Sequence, residues 1–310
     1  MTDASHQLRI QRRDERRLVS QYRGRFEIRI IATLVGQSVA WIVVLLGGIN
    51  GSIPLWLGLV LNTVLASMFY MPLHEAVHGN VWGNQSRARW GEDLVGYWAA
   101  IPLGFSYKGH RISHMQHHAY TNDPNRDPDI YTAGAMGSLP RKWYAVTLSQ
   151  LLLPFLAFVP PTRRLLPRSL RAEFAKPREE NQREGLHSLL NWLFMHGVLV
   201  AAFVLGYGWE ALLLWYVPAR IQLGWLMLVF AWFPHHPVTT TGRYVDTRVA
   251  VFRGSGLLIR GHDHHALHHL FPRVAHYNLP KLWQEIGPEM IGKGVRAEGR
   301  ATGATGPIIW

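Results

Sequence analysis

"IPLWLGLVLNTVLASMFYMPLHEAVHG" (residues 53–79) joins two signals in one stretch. Residues 53–71 carry no charge and come close to the ~20 apolar residues that cross a bilayer. Directly after them, His74, Glu75 and His78 spell H-E-x-x-H. In a zinc metalloprotease that motif supplies two metal ligands and a general base. A spacing of four puts both imidazoles on one helical face. The first reading is therefore a membrane span that delivers a metal motif at its end, and an intramembrane zinc metalloprotease using His74, Glu75 and His78 is one explanation of it.

The rest of the chain repeats the membrane signal. Apolar segments at 28–49 and 53–71 are separated only by the uncharged Asn50-Gly51-Ser52, which reads as a hairpin. Segments at 187–208 and 209–233 read as a second hairpin with a single charge, Glu210, at its tip. With 310 residues, 13 Trp, 11 Tyr and 12 Phe, the chain has the makeup of a membrane protein with aromatic interfacial belts. Its formal net charge of +12 then reports orientation and attraction to anionic lipid, not nucleic-acid binding. Eight Lys/Arg lie in residues 1–29, seven in 87–142, seven in 163–183 and nine in 243–300, with Arg220 alone inside a span. If the two hairpins are the only crossings, every basic segment shares one side, and the positive-inside rule makes that side cytoplasmic. The Pro-interrupted run at 143–161 and the short one at 94–105 are read as interfacial or dipping segments. The expected fold is an all-α integral membrane protein: four transmembrane helices in two hairpins, interfacial helices and a cytoplasmic histidine-rich cap. Its divisions are a basic N-terminal segment (1–29), a membrane domain (30–285) and a C-terminal tail (286–310). Both termini are expected in the cytoplasm.

There are no cysteines, so disulfides, thiolate metal sites and iron–sulfur clusters within this chain are excluded. There are, however, 17 histidines. After His74 and His78 comes "GHRISHMQHHAYTNDPNRDPD" (109–129), in which His114, His117 and His118 form H-x-x-H-H, with His110 one turn earlier. "RGHDHHALHHLFP" (260–272) repeats the pattern with His265, His268 and His269, and His262 and His264 just upstream. His235 and His236 close the fourth span. Hydropathy alone brings all of these to one end of the bundle. His6, His187 and His196 stand apart, and a packing hydrogen bond is expected for His196. Neutral imidazole suits Fe, Zn, Cu and Ni, and eight or nine histidines are too many for one metal and about right for two. Two irons held almost entirely by histidine fit this donor set best.

H-x-x-x-H, H-x-x-H-H and H-x-x-H-H resemble the three histidine boxes of the membrane fatty acid desaturase superfamily, which includes carotenoid ketolases and hydroxylases. "HHAYTNDPNRDPD" (117–129) and "HHLFP" (268–272) are similar to the segments that follow its second and third boxes. The resemblance implies that His74, His78, His114, His117, His118, His265, His268 and His269 are catalytic iron ligands. It implies a ninth ligand from the end of the last span, His236 in preference to His235. His110, His262 and His264 are left as ligands, partners of ligands or proton carriers. Asp263 stands where many acyl desaturases have asparagine. Asp123, Asp127 and Asp129 either orient imidazoles or form a turn. The implied activity is O2-dependent oxidation of an unactivated lipid C–H bond, with fatty acyl desaturation preferred and carotenoid ketolation or hydroxylation the closest alternative. No Gly-x-Gly-x-x-Gly is present, so electrons are expected from an external donor such as a ferredoxin. The expected partners are that donor, a lipid substrate (acyl chain or carotenoid) and membrane lipids.

Overall fold

A computed structural model describes residues 14–301 apart from 16, 84–88, 160, 162–163 and 165–178, together with Ile308. About half of the basic N-terminal segment, most of the basic stretch at 163–183 and nearly all of the chain beyond 301 lie outside the described residues.

Among the described residues, four helices are long and apolar enough to cross a membrane: Ile28–Ile49, Leu55–His78, Arg183–Val204 and Gly208–His235. The first, α1, is Ile28–Ile49. The second is two helices in line, α2 (Leu55–Met68) and α3 (Tyr70–His78), meeting at Phe69. It runs seven residues beyond the apolar stretch seen in the sequence, because all nine residues of α3 are buried and its polar ones are used internally. Two helices follow, α4 (Arg89–Leu103) and α5 (Tyr107–Tyr120). Ser106 opens α5 as its N-cap, its hydroxyl accepting from the Gly109 N–H. α6 (Leu139–Leu151) and α7 (Leu153–Phe158) cover the expected interfacial run. The third and fourth spans belong to α8 (Glu179–Val204) and α9 (Gly208–His235). Large apolar side chains such as Val39, Val43, Trp56, Val64, Val200 and Val204 are exposed along the spans. Such surface is costly in water and suited to lipid.

α1, α2 and α9 pack closely around Leu214, which is fully buried. A Cβ at Gly48 or Gly58 would overlap the Leu214 side chain, so the two glycines permit the approach. Pro218 has no N–H to return to Leu214 O four residues back. Asn62 on α2 donates to that carbonyl instead, at 2.7 Å. An unpaired carbonyl would be expensive in hydrocarbon, so a buried Asn replaces the missing backbone donor. α9 is also widened into π-helical turns at Leu212–Tyr216 and Met227–Trp232.

Beyond α9 the chain builds a cap. Strand β1 (Arg248–Val251) pairs in parallel with β2 (Arg296–Gly299), Arg248 opposite Arg296. Between them lie α10 (His265–Leu270) and α11 (Leu279–Gly292). Leu267, Leu279, Leu282, Met290 and Ala297 form the apolar core of this cap. Arg248 and Glu298 are both fully buried and paired at 2.7 Å, and Arg248 Nη2 also donates to Phe233 O near the end of α9. The expected boundary between 285 and 286 falls inside α11, and the segment after it contributes β2 and part of the cap core. The N-terminal segment joins the cap too. Glu15 accepts from Arg243 and Tyr244, and Tyr22 donates to Glu285.

Candidate metal centre

His74 and His78 stand on α3, His114, His117 and His118 on α5, His235 at the end of α9, and His265, His268 and His269 on α10. Their ring nitrogens gather into two groups. His74, His78, His114, His118 and His268 form one, and His117, His235, His265 and His269 form the other, with ligand atoms of each group within 4.8 Å of one another. Each H-x-x-H-H box is divided between the two. In α5 the i and i+4 residues (His114, His118) go to the first group and i+3 (His117) to the second. In α10 the order is reversed: His265 and His269 go to the second group and His268 to the first. The three imidazoles of a box therefore do not serve one site, as a single helical face would suggest. They straddle two, and the groups abut where the His118 and His269 rings stack at 4.2 Å.

The Nε2 atoms converge closely within each group. His78 and His114 approach to 3.0 Å, His114 and His118 to 3.1 Å, and His118 and His268 to 3.0 Å. In the second group His235 meets His265 at 2.9 Å, and His265 meets His269 at 3.0 Å. A neutral imidazole Nε2 carries either one proton or one lone pair. A row of four such atoms can make at most two hydrogen bonds, yet three contacts are present. A row of three can make one, yet two are present. Lone pairs converging on a shared cation remove the conflict. Metal–nitrogen bonds of ~2.0–2.1 Å also bring neighbouring ligand atoms to about 3 Å. Several buried ring nitrogens have no partner at all: both of His74, and Nδ1 of His235 and of His265. An orphaned buried polar atom costs ~1–3 kcal/mol, and His74, with neither nitrogen bonded, has a lone pair to give to a cation. The residues fit a pair of metal ions.

Electrostatics favour the lone-pair form. Burial, reinforced by neighbouring imidazoles, holds His114, His118, His265 and His269 well below the ordinary imidazole range. Burial takes His268 down to about 4. His117 moves the other way. Burial opposes its charge, but the hydrogen bond to Asp127 and the charges of Asp129, Asp127 and Asp246 outweigh it.

Partners behind the ligands orient them. His117 Nδ1 donates to Asp127 Oδ1 at 2.8 Å, leaving Nε2 to the metal side. The other Asp127 oxygen accepts from the Asn122 N–H. Asp127 is thus both the orienting group and the turn's anchor, whereas Asp123 serves the turn, accepting from Asn125 N–H and Arg126. Thr121, which the sequence did not single out, accepts from His269 Nδ1 at 3.1 Å and donates to His117 O. Asp263 accepts from His264 and Ser255 and so holds the loop before α10.

Geometry corrects one expectation and counts against the protease alternative on two points. His235, not His236, joins the second group; the His236 ring stacks on Trp232 at 4.4 Å, outside both groups. Glu75 does not face the ligands as a base. Its Oε1 accepts from the His276 N–H (2.8 Å) and Nδ1 (2.7 Å), and its Oε2 from Asn80 Nδ2 (2.6 Å). It clamps α3 to the chain after α10, a role that would have required pairing it with His276. And H-E-x-x-H does not stand alone, since His114, His118 and His268 complete its group. Of the remaining histidines, His110 is half-buried beside His114 and His262 is buried beside His74, each with Nε2 unpartnered. His196 makes packing bonds, with Nδ1 donating to Trp192 O and Nε2 accepting from Tyr216. A cavity of about 340 Å³, lined by His118, Thr121, Arg126, Arg243, Asp246 and His269, reaches both groups from outside.

The fatty acid desaturase family profile matches residues 50–297, well over half of the chain. The chain belongs to the fatty acid desaturase family. It is similar to an sn-1 acyl-lipid omega-3 desaturase (ferredoxin) of Nostoc sp., 28% identical over 69% of this chain and 64% of the relative. A Synechocystis sp. protein with the same description is 27% identical over 74% and 66%. In both cases the match spans just under two thirds of the relative's length. A beta-carotene ketolase of Paracoccus sp. is 26% identical over 71% of this chain and 75% of the relative. Membership makes this chain one of a family of membrane oxidoreductases, and the four apolar helices accord with it.

Proposed function

We propose that this chain is a non-haem di-iron, O2-dependent oxidoreductase that desaturates a fatty acyl chain. The observation that carries the reading is the division of nine histidines into groups of five and four whose nitrogens converge without enough protons to bond one another. His74, His78, His114, His118 and His268 hold one iron; His117, His235, His265 and His269 hold the other. Bound iron supplies the O2 chemistry that breaks an unactivated C–H bond, which imidazole and carboxylate cannot do alone. The protein's part is positional. Asp127 and Thr121 fix ring orientation, Glu75 joins the first box to the segment after the third, and six of the nine rings are buried, with His118, His235 and His269 half-buried. The spans pair as two hairpins, with the cap, the metal groups and both termini on the cytoplasmic side, supported by the distribution of Lys and Arg. A separate one-electron carrier such as a ferredoxin reduces the site, as the description of the Nostoc relative suggests.

Carotenoid ketolation is the second reading, favoured by the Paracoccus relative, which matches over a larger share of its own length. One experiment tests both. The purified protein is analysed for metal, then given O2, a ferredoxin and its reductase, and lipid extracts. About two irons per chain and new unsaturated acyl chains are expected. Oxygenated carotenoids in a pigmented host would move the assignment to the second reading. One zinc, held without His117 or His268, would refute both.

A further inference from the structure

Helix α4 and helix α5 meet at a turn, Gly104–Ser106, set against the middle of α9. A helix C-terminus leaves four carbonyls without intrahelical partners and carries the negative end of the macrodipole. Away from water these groups need protein donors. One helix, α9, supplies three. Trp215 Nε1 donates to Ile101 O at 2.7 Å, Gln222 Nε2 to Leu103 O at 3.1 Å, and Arg220 Nη2 to Gly104 O.

Arg220 is the hub of this contact. Its Nη1 donates to Gln150 on α6, and its own carbonyl accepts from Trp143 Nε1 at 2.8 Å. Its guanidinium lies 5.5 Å from the centre of the Tyr216 ring and 3.8 Å from Met195 Sδ on α8. Its Nε is buried without a partner. A charged residue near the middle of a span is costly and calls for a reason. Gly104 is shaped to receive it. Its φ of +68° suits glycine, and a Cβ there would overlap Arg220 Nη2.

We infer that Arg220 is a positioning residue for the metal-binding helix: by fixing Gly104 it sets the height and rotation at which α5 offers its histidines. This rests on the metal-centre reading above. His114 lies seven residues into the helix that starts at Tyr107 just after this turn, about 10 Å along a rigid rod. A slip at the turn therefore moves His114, His117 and His118 together. Metal sites tolerate only ~0.2 Å in ligand distance, so a small slip weakens both groups at once. Arg220 touches none of the nine ligands.

The test compares Arg220→Met, Arg220→Lys and Asn62→Leu with wild type, each purified in detergent, stripped with chelator and titrated with Co2+. Asn62→Leu also removes one side-chain hydrogen bond to a carbonyl of α9, but from the α2 side and away from α5. The readouts are Co2+ bound per chain, the d–d absorption spectrum and the thermal midpoint. Arg220→Met is expected to bind Co2+ about 10–100-fold more weakly with an altered spectrum. Arg220→Lys, which keeps a donor for Gly104 O, is expected to recover much of the affinity. Asn62→Leu is expected to lose thermal stability yet bind as wild type does. Wild-type affinity and spectrum in Arg220→Met would overturn the inference, and so would equal weakening in Asn62→Leu, which would make the effect merely structural. If wild type itself bound no Co2+, the metal-centre reading would fail first.

Discussion

Changing Glu75 to Gln separates the two chemistries that H-E-x-x-H permits. In a zinc protease the carboxylate is the general base, and Gln there abolishes turnover while leaving the fold untouched. In this structure both carboxylate oxygens are occupied, by His276 through its N–H and Nδ1 and by Asn80. Gln keeps the shape. If its carbonyl stays with His276, its NH2 group faces the NH2 group of Asn80. Asn80 can turn over and accept through Oδ1, which has no partner, but it then gives up its 3.0 Å bond to Pro272 O. The net loss is one neutral bond together with the charge assistance of the bonds that remain at residue 75, ~1.5–3 kcal/mol in all. At roughly 2–4 °C per kcal/mol, the thermal midpoint should fall by about 3–12 °C. Thermal unfolding in detergent, metal content and turnover would be measured on one preparation. The expected variant is less stable, still carries both metals below its midpoint, and loses no more than about tenfold in turnover. An inactive Glu75→Gln protein with an unmoved midpoint and full metal content would refute the clamp and return Glu75 to the chemistry.

Three other outcomes follow from named contacts. Asp127→Ala removes the acceptor behind His117 Nδ1, and should weaken metal binding in the second group about 10–100-fold, read by metal retention against a chelator. Glu298→Ala leaves Arg248 buried and stripped of its carboxylate partner. It should cost ~3–5 kcal/mol in chemical denaturation, and a loss within error would mean that water or a backbone shift rescues the cation. Glu15 supplies a pH dependence. Burial raises its pKa, but hydrogen bonds from Tyr244, Arg243 and Lys293 outweigh that and hold it below 4.5. A depressed carboxylate adds stability above its unfolded pKa and loses it as pH falls through the folded one. The wild type should therefore lose more stability than Glu15→Gln on acidification below about pH 4.5, and parallel denaturation curves across that range would count against the anchor.

What the sequence disclosed, and what it withheld, follows from range. The spans were legible because a bilayer demands a long uninterrupted apolar run, a purely local property. The ends of the spans were not. Residues 70–78 include His74, Glu75 and His78, which lower local hydropathy, yet partners from α5, α10 and the following chain bury them all the same. The eight box histidines were legible because helical spacing is local too. Their division between two sites was not, since that depends on α5 and α10 meeting as neighbours. The choice of His235 over His236 shows the limit most plainly. The helix ends at His235 and His236 is already extended, and the two π-helical turns before that end shift the register of everything beyond them, so where the last span stops depends on the whole helix. Asn62 beneath Pro218 and Arg220 against Gly104 belong to the same class. Each is a polar residue inside a span whose partner lies more than 100 residues away in sequence. Only the partner distinguishes a repaired backbone from a substrate contact. An intramembrane polar residue is therefore best read as a question about which carbonyl or N–H the fold has left unpaired. Here the answer leads, through Gly104, to the helix that carries the histidines.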